Sequence, residues 1–134
     1  MAEQELPAEL RELIRWNLES IDHMEMLVLL HRSAPRAWSL DELAHELHLP
    51  ARTTAQCMES LARGQLASVA REAPGPATAP YYRYAPATDA LSRAVDMLAR
   101  EYDERPVALV TAVRSRPSVV LQSFADAFRV RRRS

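Results

Sequence analysis

Apolar residues recur along most of this chain at helical spacing, and one short stretch alternates instead. After Pro7, the positions Leu10, Leu13, Ile14 and Leu18 fall on one side of a helix, with Glu9, Arg11, Glu12 and Arg15 on the other and Trp16 at the edge of the stripe. Ser20 suits the cap of a second helix over 21–31, whose Met24, Met26, Leu27, Val28, Leu29 and Leu30 make it apolar all round, as a buried helix must be. Residues 33–37 predict a loop, and Ala37-Trp38 a short strand. Ser39 and Glu42 form a capping-box pattern at the start of a third helix with Leu40, Leu43, Ala44 and Leu47 on one face. His48-Leu49 breaks that helix. Pro50 suits the first position of a fourth, where its missing N–H costs nothing. Thr54, Cys57, Met58 and Leu61 form the inward stripe of this fourth helix, and Gly64 predicts a left-handed exit.

The alternating stretch is 66–71. With the aromatic run Tyr81-Tyr82-Arg83-Tyr84 it predicts a hairpin whose long tip, 73–80, is rich in proline. From Thr88, a long helix carries Leu91, Val95, Leu98, Tyr102, Leu109 and Val113 at nearly coiled-coil spacing, with a break near 104–105 imposed by Pro106. This seam is the expected dimerisation surface. Residues 118–128 predict a short amphipathic helix bearing Phe124 and Phe128, too short to stand alone and hence expected to dock, within the dimer or on a protein partner. A basic tail, Arg129 to Arg133, follows it. The expected organisation is residues 1–86 as one domain and 87–134 as a helical extension.

Two short helices joined by a tight turn and followed by a hairpin make a winged helix-turn-helix. On Ser39-Leu40-Asp41-Glu42-Leu43-Ala44, Leu49, Thr53-Thr54, Leu61, Gly64-Gln65-Leu66 and the 81–84 strand, the chain resembles a bacterial winged-helix transcriptional regulator, broadly of the MarR type, over roughly residues 20–105. The fold class so implied is mainly α (α+β): a winged domain, an N-terminal helix and a long C-terminal dimerisation helix. The resemblance implies a cytoplasmic homodimer that binds duplex DNA. Its groove-facing set would be Arg52, Thr53, Gln56, Ser60 and Arg63, with Arg71 and Arg83 at the base of the wing. Arginine can take guanine O6/N7 and glutamine adenine N6/N7.

Charge opens an alternative. Residues 1–86 hold 8 arginines against 12 carboxylates, a net of −4, while 87–134 hold 9 against 6, a net of +3. An acidic winged domain is a poor match for phosphate. Glu59 lies beside the groove-facing set, and 72–80 carries no cation. The second reading is therefore a winged-helix module that binds protein and not DNA.

Little else in the composition points to chemistry. Only two glycines are present, and no phosphate loop, CxxC or HExxH appears, so neither enzyme nor cofactor is expected. Asp41, His45 and His48 could share a helix face but offer three ligands without a fourth, so a solvated face with a turn histidine is expected rather than a metal site. The single cysteine, Cys57, lies on an inward stripe and predicts an inert thiol rather than a redox sensor. Trp16, Trp38, Tyr81, Tyr82 and Tyr84 suggest either an effector pocket or a wing–core seam. The acidic residues 1–5 lack the order of a signal peptide, and no run is long and apolar enough to span a membrane.

Overall fold

The computed structural model describes residues 6–70 and 80–115. Helices α1 (Ala8–Asn17) and α2 (Ile21–Ser33) lead into strand β1 (Trp38–Ser39), helices α3 (Leu40–Leu47) and α4 (Ala51–Arg63), strands β2 (Ala67–Val69) and β3 (Tyr81–Tyr84), and helices α5 (Asp89–Glu104) and α6 (Pro106–Ser115). The strands form one antiparallel sheet in the order β1-β3-β2, with Trp38 opposite Tyr82 and Ser68 opposite Arg83. This is the winged helix-turn-helix expected from the sequence.

The helix starts follow their side chains. Ser20 Oγ accepts from the His23 amide at 3.3 Å. Ser39 and Glu42 close a reciprocal capping box, at 3.1 Å from the Glu42 amide and 2.9 Å from the Ser39 amide. Thr88 Oγ1 caps α5 through the Leu91 amide at 3.1 Å. Pro50 stands one residue outside α4 in extended backbone, and Pro106 is the first residue of α6. The break before Pro106 falls at Arg105, as expected.

The exits of α3 and α4 correct one expectation. Gly64 has φ −77°, and the left-handed residue is Gln65 at φ 64°. Leu66 N–H reaches the Leu61 carbonyl at 3.0 Å and Gln65 N–H the Ala62 carbonyl at 3.0 Å, so α4 closes in a Schellman turn with Gln65 in the left-handed place. At the end of α3, His48 does the same at φ 56°, and Leu49 N–H reaches the Ala44 carbonyl at 3.0 Å. What Gly64 does supply is room beside α1: a Cβ there would meet the end of the Asn17 side chain, which would have to turn aside.

One continuous core runs from Leu6 to Val113 across the expected boundary at residue 86. Helix α5 packs on α1 and α2, and α6 packs on α1, α2 and α5. Val95, Leu98, Leu109 and Val113 are buried in this core, while Leu91 and Tyr102 are half-buried. The seam expected to face a second copy is thus turned inward. The first two helices do not satisfy the winged motif and leave α5 free; they are the surface on which α5 closes. Polar ties run beside the apolar contact: His31 Nε2 to Asp96 at 2.9 Å, Arg32 to Asp103 at 2.6 Å, and Tyr102 Oη donating to Glu25 at 3.2 Å. Exposed pairs of this kind add little stability, so they fix register more than they hold the helices together. At the end of α5, Glu101 is buried against Arg105, whose hydrogen bonds hold its carboxyl below the ordinary carboxylate range.

Candidate nucleic-acid interface

Helix α4 is divided lengthwise. Thr54, Cys57, Met58 and Leu61 are buried, as the sequence predicts, and Thr54 Oγ1 donates to the Pro50 carbonyl at 3.0 Å. The opposite face carries Arg52, Gln56, Glu59 and Arg63, all exposed, at successive spacings of 4, 3 and 4 residues. Thr53 and Ser60 are half-buried flanks of that stripe. Glu59 therefore lies in the stripe between Gln56 and Arg63, not beside it. The same spacing was available in the sequence as a signal.

Arg63 donates to Glu59 Oε1 at 3.1 Å, and the two side chains are 71% and 74% exposed. Arg83 is exposed on β3, in the base of the wing. Arg71 and the wing tip lie outside the described residues, as do Phe124, Phe128 and the basic tail. The sequence reading missed Arg36. Its guanidinium lies 3.6 Å from the centroid of the Trp38 ring and 3.8 Å from Glu42, at the start of the helix-turn-helix.

The aromatic residues do not gather into one pocket. Trp38 is buried, with its indole N–H on Ser33 Oγ at 2.9 Å, and Tyr84 meets the His31 ring edge-on at 5.3 Å. Trp16 stands apart, 56% exposed, on an open groove of about 270 Å³ between α1 and α5 that also involves Leu13, Leu91 and Ala94. Among the described residues no three His, Cys, Asp or Glu side chains converge as metal ligands. Asp41, His45 and His48 are all exposed.

Cys57 Sγ lies 3.7 Å from His23 Nδ1, which also meets Ser20 Oγ at 2.7 Å. Burial first, then the charges of Asp22 and Glu19, push the thiol from 9.0 up to about 11. That rise cuts the thiolate fraction near neutrality about a hundredfold. A disulfide reagent at pH 7 is therefore expected to label Cys57 at least about a hundredfold more slowly in the folded chain than in urea. Fast labelling without unfolding would make it a sensor.

No family model matches this chain, and no curated protein matches it. Solved structures do share the fold. The adhesin competence repressor AdcR from Streptococcus pyogenes is 15% identical, over 81% of this chain and 75% of that one, at a TM-score of 0.50. A MepR mutant from a multidrug resistant S. aureus clinical isolate is 14% identical, over 82% and 73%, at 0.50. A further S. aureus MepR mutant, bound to an oligodeoxyribonucleotide, is 16% identical over 92% of this chain and 86% of that chain, at 0.51. At these identities the likeness is one of fold, and the winged helix-turn-helix seen here is shared with those proteins.

Proposed function

We propose that this chain is a DNA-binding transcriptional regulator that works as a homodimer in the cytoplasm, with α4 laid in the major groove and the wing against the backbone. The observation that carries this reading is the division of α4. Its inner face is fixed in the core, and its outer face presents Arg52, Gln56 and Arg63, side chains suited to base edges, on a rigid and exposed stripe. The oligodeoxyribonucleotide bound by one MepR mutant of the same fold supports it. No helix among the described residues is long and apolar enough to cross a membrane.

For the homodimer, open apolar surface among the described residues includes the groove between α1 and α5, with exposed Trp16 and half-buried Leu91 on it, and exposed Val107 on α6. Tryptophan at the centre of an apolar patch is a frequent anchor between chains. A second reading is a winged-helix module that binds a protein partner and not DNA; the carboxylate of Glu59 in the middle of the α4 stripe favours that reading.

Arg52 stands in the first turn of α4, exposed. Arg52→Ala is expected to weaken binding to a selected duplex by roughly 1–3 kcal/mol if it contacts a base, and to relax preference at one position. Fluorescence anisotropy with the duplex enriched from a random pool measures both. Failure of the wild-type protein to shift any duplex at low salt would replace this reading with the protein-binding one.

A further inference from the structure

The stripe on α4 contains a residue that a phosphate-binding surface should not have. Glu59 lies in line with Arg52, Gln56 and Arg63, and it is as exposed as they are. An isolated carboxylate facing duplex DNA is repelled by the backbone. Glu59 is not isolated, because one of its oxygens accepts from Arg63 at 3.1 Å. The other oxygen has no hydrogen bond among the described residues. Arg63 keeps the remaining donors of its guanidinium fork for a second partner. An exposed pair one helical turn apart contributes little to the stability of α4.

Resting on the DNA-binding reading above, we propose that Glu59 and Arg63 form one reading unit for a G·C base pair, and that Glu59 is a specificity-determining residue of this helix. The chemistry of the major groove fits the pair group by group. Guanine presents two acceptors, O6 and N7, which suit the free donors of Arg63. Cytosine presents the N4 amino donor, which suits the free carboxylate oxygen of Glu59. The hydrogen bond between the side chains places acceptor and donors side by side, in reach of both edges of one pair. Adenine–thymine pairs lack this arrangement: thymine offers O4, an acceptor, where cytosine offers a donor, and a carboxylate facing it is repelled.

The same carboxylate acts on non-specific binding. On most random sites it meets no cytosine amino group and there adds only repulsion. The wild-type chain therefore gives up general affinity for DNA and gains in the ratio of specific to non-specific binding, which is the quantity that selects a site among many competitors. The net negative charge of residues 1–86 acts in the same direction.

The test is selection from a random-sequence duplex pool, followed by anisotropy on single-position variants of the enriched duplex. The proteins are the full chain, Glu59→Gln, Arg63→Ala and the double variant, each checked for unchanged helical content. For the wild type, one G·C pair in each half-site is expected to be favoured over A·T by about tenfold or more. Glu59→Gln should bind random duplex several-fold more tightly at low salt and lose most of that preference at the same pair. Arg63→Ala should lose the preference at that pair as well, and the double variant should lose no more than either single change. A Glu59→Gln protein that binds every duplex more tightly while keeping its preference at every position would overturn the assignment and leave Glu59 as a repulsive charge. Loss of preference at two different pairs in the two single variants would overturn the coupling. A wild-type chain that enriches no duplex would overturn the DNA-binding reading itself, and this assignment with it.

Discussion

Replacing Leu98 with alanine is expected to remove about 2–5 kcal/mol of folding stability, the range for a leucine truncated in a packed interior. Leu98 is fully buried, and α5 at this point is closed over by α1 and α2 of the same chain. Truncation removes apolar area from the core and leaves a space that two helices held by several other contacts cannot collapse to fill. Leu98→Glu should go further and unfold the chain, since a lone charge in that core has no partner. Urea denaturation followed by the helical circular dichroism signal checks the first, and sedimentation with the same signal checks the second. A Leu98→Glu protein that keeps its helices and merely halves its mass would return the residue to an interface between copies. The outcome matters because α5 packs on α1 and α2, and α2 in turn packs on α4.

The seam on α5 shows where a single sequence stops being legible. Apolar residues at spacings of 4 and 3 dictate a helix with one buried side, and that is found. The spacing does not say what buries it. A coiled-coil partner and the two helices of the same domain impose the same pattern on α5, because each demands one apolar stripe and nothing more. The local signals fared better where the chemistry is short-ranged. The Ser39–Glu42 box, the Ser20 and Thr88 caps and the break before Pro106 each involve groups within a few residues of one another. Gly64 is a misleading signal because the left-handed turn is taken one residue later, by Gln65, and its close neighbour is Asn17, nearly fifty residues away in the chain. The candidate interface was legible in outline. Arg52, Gln56 and Arg63 do share one exposed face. The place of Glu59 in it follows from counting 4, 3 and 4, whereas the stacking of Arg36 on Trp38 depends on a loop conformation that no periodicity encodes.

Trp38→Ala is expected to be the other costly change, at about 3–5 kcal/mol, and to act on the wing as well as on the core. Trp38 is buried, and it is one of the two residues of β1, opposite Tyr82 of β3. Its indole N–H donates to Ser33 Oγ at 2.9 Å, and Ser33 in turn donates to the Leu29 carbonyl at 2.7 Å, so the ring ties β1 to the end of α2. On its outer side it carries the guanidinium of Arg36. The strand pair β2–β3 alone is a two-stranded hairpin, which is marginal in water without a third strand or a packed face. The third strand here is β1, and with only two residues it is held by its side chains more than by its ladder. Removing the indole should therefore free β3 on one edge. Hydrogen exchange at the amides of Tyr81 to Tyr84 is expected to quicken by more than the loss of global stability accounts for, since these amides would open without the helices unfolding. Trp38→Phe keeps most of the buried ring and loses only the N–H, so its cost should be clearly smaller and its β3 amides better protected. If exchange in β3 rises only in step with global stability in both variants, Trp38 supports the core alone, and the wing owes its position to the turn between α4 and β2.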